Sequence, residues 1–181
     1  IEVEKGSRFQ DIVPLFQEQN QYPLLLAKVG SKIYELHKKV PEEDCEIEWI
    51  TIQNRIGLQS YQRSAVFMLL KAFFHHCKGV KGFNVTIDYT LGGGFYGYIS
   101  GEQKLTTELL SKVKSTMQDY VKAEMPIMKR NVSTEEARKL FHRLGMHSKE
   151  QLFRFRMTSR VNIYSLGNFQ DYFYCYMLLN T

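Results

Sequence analysis

The stretch 91-LGGGFYGYI-99 decides how the middle of this chain folds. Gly92, Gly94 and Gly97 satisfy G-x-G-x-x-G, the spacing of a phosphate-binding loop. That chemistry needs a helix directly after the glycines, because the free amides of its first turn hold the anion. Phe95, Tyr96, Tyr98 and Ile99 follow instead, aromatic and β-branched residues that favour a strand. On the other side, 83-FNVTIDYTL-91 alternates Val85, Ile87 and Tyr89 with Thr86, Asp88 and Thr90, the period of a half-buried strand. The glycines therefore turn a hairpin, supplying positive φ angles rather than cradling a phosphate. A protein-kinase glycine loop is also strand-turn-strand, but it requires V-A-I-K, H-R-D and D-F-G downstream, and none of these occurs.

Working outward, 61-YQRSAVFMLLKAFFHHC-77 is apolar on most faces and is expected to be a central core helix. After the hairpin, Thr106 is an N-cap for 107-TELLSKVKSTMQDYVKAEM-125, which Pro126 ends. Strand 127-IMKRNV-132 leads to Ser133, which forms a capping-box pattern with Glu136 for helix 134-TEEARKLFHRL-144, closed by Gly145. Ser148 and Gln151 repeat that signature for 149-KEQLFRFRM-157, and 161-VNIYSLG-167 and 171-DYFYCYMLL-179 read as strands. The first 55 residues form a smaller module: strand 1-IEVE-4, helical 9-FQDIVPLFQEQ-19, then 24-LLLAKVG-30, 32-KIYEL-36 and 47-IEWITI-52. A change of character at 53-QNRIGLQS-60 separates residues 1–55 from 61–181. Helices beside a hairpin and returning strands define an α+β class rather than a wound α/β sheet.

The 181 residues are 44% hydrophobic and 13% aromatic, enough to build a core and exclude a disordered chain. No stretch approaches the roughly 18 uninterrupted apolar residues of a membrane span, so no membrane partner is expected. Cys45, Cys77 and Cys175 are an odd, widely spaced set, which points to a reducing compartment and a cytoplasmic location. The chain opens on Ile1 rather than Met and is expected to be a piece of a longer one. Its charge is uneven: residues 1–60 hold 7 Lys and Arg against 10 Asp and Glu, a net −3, and the remainder hold 17 against 9, a net +8. The basic part is suited to face RNA or a nucleotide phosphate, or to solvate helix surfaces.

These pieces, in this order, resemble a known pair of modules. Residues 1–55 resemble a TGS domain, the ubiquitin-like β-grasp unit at the front of threonyl-tRNA synthetase. Residues 61–181 resemble the second additional domain that threonyl- and alanyl-tRNA synthetases share, an editing-type α+β domain. The matching elements are 61-YQRSAVFMLLKAF-73 for the family's H-S-x-x-H helix, 93-GGFYGYI-99 for its G-F-Y hairpin, 105-LTTELL-110, 132-VSTEEARKLF-141 and 164-YSLGNF-169 for its C-x-G-x-H segment. In the editing family the two histidines and the distant cysteine and histidine share a zinc ion. Arg63, Phe67, Ser165 and Phe169 stand at those four positions here, and neither phenylalanine nor protonated arginine offers a lone pair, so no metal is expected. The resemblance makes Arg63, Ser64, Phe67, Tyr96, Ser165 and Phe169 a candidate ligand pocket in which arginine replaces the metal's charge.

The R-S-x-x-F helix and the Y-S-x-G segment followed by 171-DYFYCYM-177 also resemble the N-terminal region of uridine-kinase-like proteins. That likeness implies a non-catalytic accessory region. Its partner would be a C-terminal P-loop kinase domain, to which ATP and Mg would belong; no cofactor is expected within these residues. No G-x-x-x-x-G-K-[ST] occurs in the chain itself. The alternative is an RNA- or tRNA-binding module descended from an editing domain. Phe73, Phe74, Phe83, Phe95 and Tyr96 could then stack on bases beside Arg63 or Lys81, unless they serve only the core. Arg154, Arg156 and Arg160 form a local cluster suited to anion binding or to a solvated face. Self-association is open. His75 and His76, adjacent on a helix, point about 100° apart and do not form a metal pair; His142 and His147 flank Gly145 and share no helical face.

Overall fold

The computed structural model describes residues 2–181, and these form five helices and eight strands. They divide into two units: residues up to Arg63 together with Pro126–Asn180, and Ser64–Met125 together with Thr181. In the first unit, α1 (Phe9–Gln17) is followed by an antiparallel sheet of β1 (Leu26–Val29), β2 (Lys32–Glu35) and β3 (Ile47–Ile50), with β1 in the middle. Phe9, Ile12, Ala27 and Leu36 are buried between helix and sheet, and the Phe9 ring meets the edge of Trp49 at 6.4 Å. The strand expected at 1-IEVE-4 does not form. Ile1 lies outside the described residues, residues 2–4 pair with no described strand, and Val3 packs against the α1 core instead.

Helix α2 (Arg55–His76) starts six residues before the expected point, inside the segment read as a boundary. The Asn54 side-chain oxygen accepts from the Thr51 amide at 3.0 Å, and the Leu58 amide donates to the Asn54 carbonyl at 2.9 Å, so the chain is already turning helically there. Gly57, within that segment, is a packing requirement: a Cβ on it would lie 2.0 Å from the Thr51 carbonyl oxygen.

In the second unit, β4 (Asn84–Leu91) pairs antiparallel with β5 (Gly94–Ser100). Gly92 and Gly93 turn between them at φ +55° and +84°, the conformation the glycine run was expected to supply. Helix α3 (Thr107–Lys122) begins as expected, with the Thr106 hydroxyl accepting from the Leu109 amide at 3.2 Å. The buried core here is Ala72, Phe73, Cys77, Leu109 and Val113, with Val85 and Ile99 of the hairpin packed against it.

The rest of the first unit is an antiparallel sheet of β6 (Ile127–Ser133), β7 (Arg160–Leu166) and β8 (Phe169–Tyr172), in the order β6-β7-β8. Helices α4 (Thr134–Arg143) and α5 (His147–Phe155) pack on it. Ser133 caps α4 as expected, accepting from the Glu136 amide at 3.1 Å. Helix α5 starts two residues early, which places Ser148 inside the helix instead of at its cap. The core joins Val132, Ala137, Leu140, Phe141, Phe153, Val161 and Ile163, and the Phe141 and Phe153 rings stack at 5.4 Å.

Of the strand expected over 171–179, only Asp171 and Tyr172 belong to one. β8 begins at Phe169 and ends at Tyr172, because Cys175 adopts φ +71°, which breaks the extended run. Beyond it the backbone bonds to side chains and to another strand: the Tyr164 hydroxyl donates to the Cys175 carbonyl, and the Ile127 amide donates to the Leu179 carbonyl at 2.8 Å. Cys175, within the segment read as a strand, is exposed.

Candidate functional site

A cleft of about 370 Å³ opens over the β6-β7-β8 sheet. Its lining combines three cations, Lys129, Arg156 and Arg160, with the end of β8 and the chain that leaves it, where Tyr172, Phe173, Tyr174 and Tyr176 follow closely; among the described residues no acidic side chain lines it. Strand pairing puts Arg160 opposite Ser133 and Asn131 opposite Asn162. Asn131 is therefore within reach of Arg160: its side-chain oxygen accepts from Arg160 Nε and its backbone carbonyl accepts from Nη2 at 2.8 Å, while its amide nitrogen donates to Asn162 at 3.0 Å. Arg156 is held as firmly. Its Nε donates to the Thr158 hydroxyl at 2.9 Å, Nη1 donates to the Tyr172 hydroxyl, and the guanidinium lies 5.0 Å from the Tyr172 ring centre.

The charge bookkeeping separates these arginines from Lys129. The Lys129 ammonium lies 2.6 Å from Glu35, a carboxylate only 3% exposed, and the pair is close to neutral. Every acceptor that holds Arg156 and Arg160 is itself uncharged, and among the described residues neither has a carboxylate partner. Two fixed guanidinium groups thus leave their positive charge, with Nη2 of Arg156 and Nη1 of Arg160, uncommitted at the cleft. Guanidinium in that state recognises phosphate or carboxylate through paired N–H donors.

Glu35 is the post to which the cleft wall is tied. Its carboxylate accepts from the Tyr164 hydroxyl at 2.8 Å and from the Met177 amide at 2.9 Å, as well as from Lys129. Burial, and after it the Glu35 charge, push the Tyr164 phenol far above its ordinary value, so Tyr164 stays a neutral donor. His37 Nε2 lies 3.8 Å from the same carboxylate; burial outweighs that attraction and lowers the imidazole below its ordinary range. Arg63 adds a further tie, donating to the Tyr176 carbonyl.

The residues singled out from sequence fall as follows. Arg156 and Arg160 line the cleft; Arg154 is exposed on α5, with its guanidinium 6.0 Å from the Phe155 ring, and does not. Arg63, Ser165 and Phe169 belong to the first unit, where Ser165 and Phe169 are half-buried. Ser64, Phe67 and Tyr96 belong to the second. Phe67 is fully buried and Ser64 nearly so, whereas Tyr96 is 46% exposed and stacks on Tyr89 at 4.9 Å. Among the described residues no group of three His, Cys, Asp or Glu side chains is placed to hold a metal ion. His142 and His147, assigned nothing in common, converge on Glu150 at 3.1 and 3.6 Å. Lys129, Asn131, Tyr172 and Tyr174 were missed. The alternation of Lys129 and Asn131 in 127-IMKRNV-132 signals a shared strand face, but their neighbours across the sheet depend on register.

The fold and site together define an α+β chain with a β-grasp module followed by a synthetase editing-type part, carrying a basic, tyrosine-walled cleft. The chain is 31% identical over 171 residues to threonine-tRNA ligase 1 of Bacillus subtilis, a match that takes in 94% of this chain and 26% of that protein. It is 30% identical over 146 residues to the threonine-tRNA ligase of Thermotoga petrophila, and 28% over 172 residues to that of Clostridium kluyveri. The chain spans about a quarter of the length of the curated relatives it matches. No family model matches it.

These relatives overturn one expectation. The uridine-kinase likeness, the accessory role to a kinase, and the P-loop kinase domain as partner all fall, because near-complete alignments run to tRNA ligases. The resemblance set Arg63 and Phe67 where the editing family has histidines. They carry no information about which domain a longer chain would join to this helix.

Proposed function

We propose that this chain is an RNA-binding module of tRNA-ligase type whose ligand is tRNA or a tRNA-like RNA, working beside the other domains of a synthetase or a synthetase-derived protein in the cytoplasm. The observation that carries this reading is the cleft, where Arg156 and Arg160 are oriented by neutral acceptors and keep their charge for an anion. A polyanion is the ligand class such a surface favours, and tyrosines beside the guanidiniums suit bases better than simple anions. The likeness to threonine-tRNA ligases supports RNA over other polyanions. The net +8 of residues 61–181 would draw RNA toward the chain.

Binding of labelled tRNA at several salt concentrations tests it. Affinity should fall steeply with salt, and Arg156→Ala with Arg160→Ala should make the log–log slope shallower by about 1.4, at about 0.7 per phosphate contact on a single strand. A slope that both variants leave unchanged would remove the cleft from the reading.

A further inference from the structure

Tyr172 and Tyr174 are two residues apart, yet their rings are available to very different degrees. The Tyr172 ring already carries the Arg156 guanidinium at 5.0 Å and meets Phe153 edge-on at 5.0 Å, and its hydroxyl oxygen accepts from Arg156 Nη1. It is a support. Tyr174 is 72% exposed, and no ring contact, hydrogen bond or ion pair engages it among the described residues. An aromatic ring left in water at a cleft edge forgoes the gain of burying its apolar surface, even though the cleft's other wall is charged.

The backbone that carries Tyr174 is nonetheless fixed. Cys175, the next residue, is held at φ +71° with its carbonyl bonded to the Tyr164 hydroxyl at 2.8 Å, and the Tyr176 carbonyl accepts from Arg63. The exposed ring thus rides on an anchored segment, and presenting it to a ligand costs little backbone ordering. The 370 Å³ of the cleft is at the lower end of the roughly 300–1,000 Å³ of small-ligand sites, room for a single nucleotide but not for a duplex.

We infer that the cleft selects one unpaired nucleotide of an RNA strand, with its phosphate on Nη2 of Arg156 and Nη1 of Arg160 and its base stacked on Tyr174. This rests on the RNA-binding reading and adds a preference to it. Stacking on a tyrosine needs an exposed base face, which a paired base does not offer, whereas phosphates are available on paired and unpaired strands alike.

The test compares a short single-stranded oligoribonucleotide with a blunt, fully paired RNA stem of equal phosphate number, each titrated against the intact chain and its variants. The single strand is expected to bind at least tenfold more tightly than the stem. Tyr174→Ala should weaken the single strand about tenfold and leave the stem within twofold, Tyr174→Phe should retain the difference, and Arg156→Ala should weaken both. Equal affinity for the two RNAs, or no effect of Tyr174→Ala on the single strand, overturns the inference while the RNA-binding reading stands. If neither RNA shows salt-dependent binding, both fall together. Because Tyr174 is 72% exposed, its variants should fold normally, and an unchanged circular dichroism spectrum checks this.

Discussion

On the β4-β5 hairpin, Tyr89, Tyr96 and Tyr98 form a ladder in which neighbouring rings lie 4.9 and 6.5 Å apart. Along β8 and the chain beyond it, tyrosines share a cleft with two guanidinium groups. Each surface exposes aromatic rings. They differ in charge and in what holds them. The hairpin rings lean on one another, and among the described residues no Lys or Arg lies over them. The cleft rings are interleaved with arginines whose side chains are fixed by Asn131, Thr158 and Tyr172. Exposed aromatic area is the feature the two surfaces share, while a charge fixed in place without a counter-charge belongs to the cleft and is what the RNA-binding proposal rests on.

Substitutions in the two regions should differ in size accordingly. The largest effect is expected from Phe141→Ala beneath the β6-β7-β8 sheet, where a fully buried ring stacked on Phe153 is lost: about 4 kcal/mol. Urea denaturation read by hydrogen exchange in β7 measures it, and a cost near 1 kcal/mol would show that the cleft floor is as pliable as the hairpin. Next comes Lys129→Met, which leaves Glu35 buried without its cation and should cost about 3 kcal/mol. Pairing it with Glu35→Gln should restore most of that loss, since the uncompensated charge is then gone. No recovery in the double variant would mean that Lys129 acts through packing.

A smaller effect is pH-dependent. His37 is held below its ordinary range in the folded chain, chiefly by burial, so the unfolded chain takes up the proton first as pH falls. Its contribution is fully present above the unfolded value of about 6.5 and is lost as pH falls below it toward the lowered folded value. His37→Gln should flatten the stability profile over that interval, and a profile that keeps its slope would point to another group. Smallest of all is Tyr98→Ala on the hairpin, expected to change stability by less than about 0.5 kcal/mol and RNA affinity by less than twofold. A loss of affinity comparable to that of Tyr174→Ala would erase the contrast between the two surfaces.

Much of this was legible from local chemistry. The glycine run announced its hairpin because φ above zero and aromatic flanks leave few alternatives. Thr106 and Ser133 announced their helices because a cap bonds within three residues of itself. Where a segment's fate depended on distant partners, local signals misled. The segment 53-QNRIGLQS-60 looked like a boundary although α2 begins within it, and 171-DYFYCYMLL-179 looked like one strand because its β-favouring composition says nothing of Glu35, Tyr164 and Arg63, which pull its backbone off the sheet.

The sequence by itself determined the α+β class, the hairpin, the helices that follow it and the basic character of residues 61–181. All of these follow from periodicity, capping and side-chain chemistry within a few residues. Only the tertiary structure decided which cations count. In sequence Lys129, Arg154, Arg156 and Arg160 are four equivalent charges. Folding gives Lys129 to a carboxylate 94 positions away, leaves Arg154 in solvent, and fixes Arg156 and Arg160 with neutral acceptors beside an exposed tyrosine. Whether a charge is neutralised depends on separations of a few ångströms between residues far apart in the chain, which strand register and the packing of elements set together.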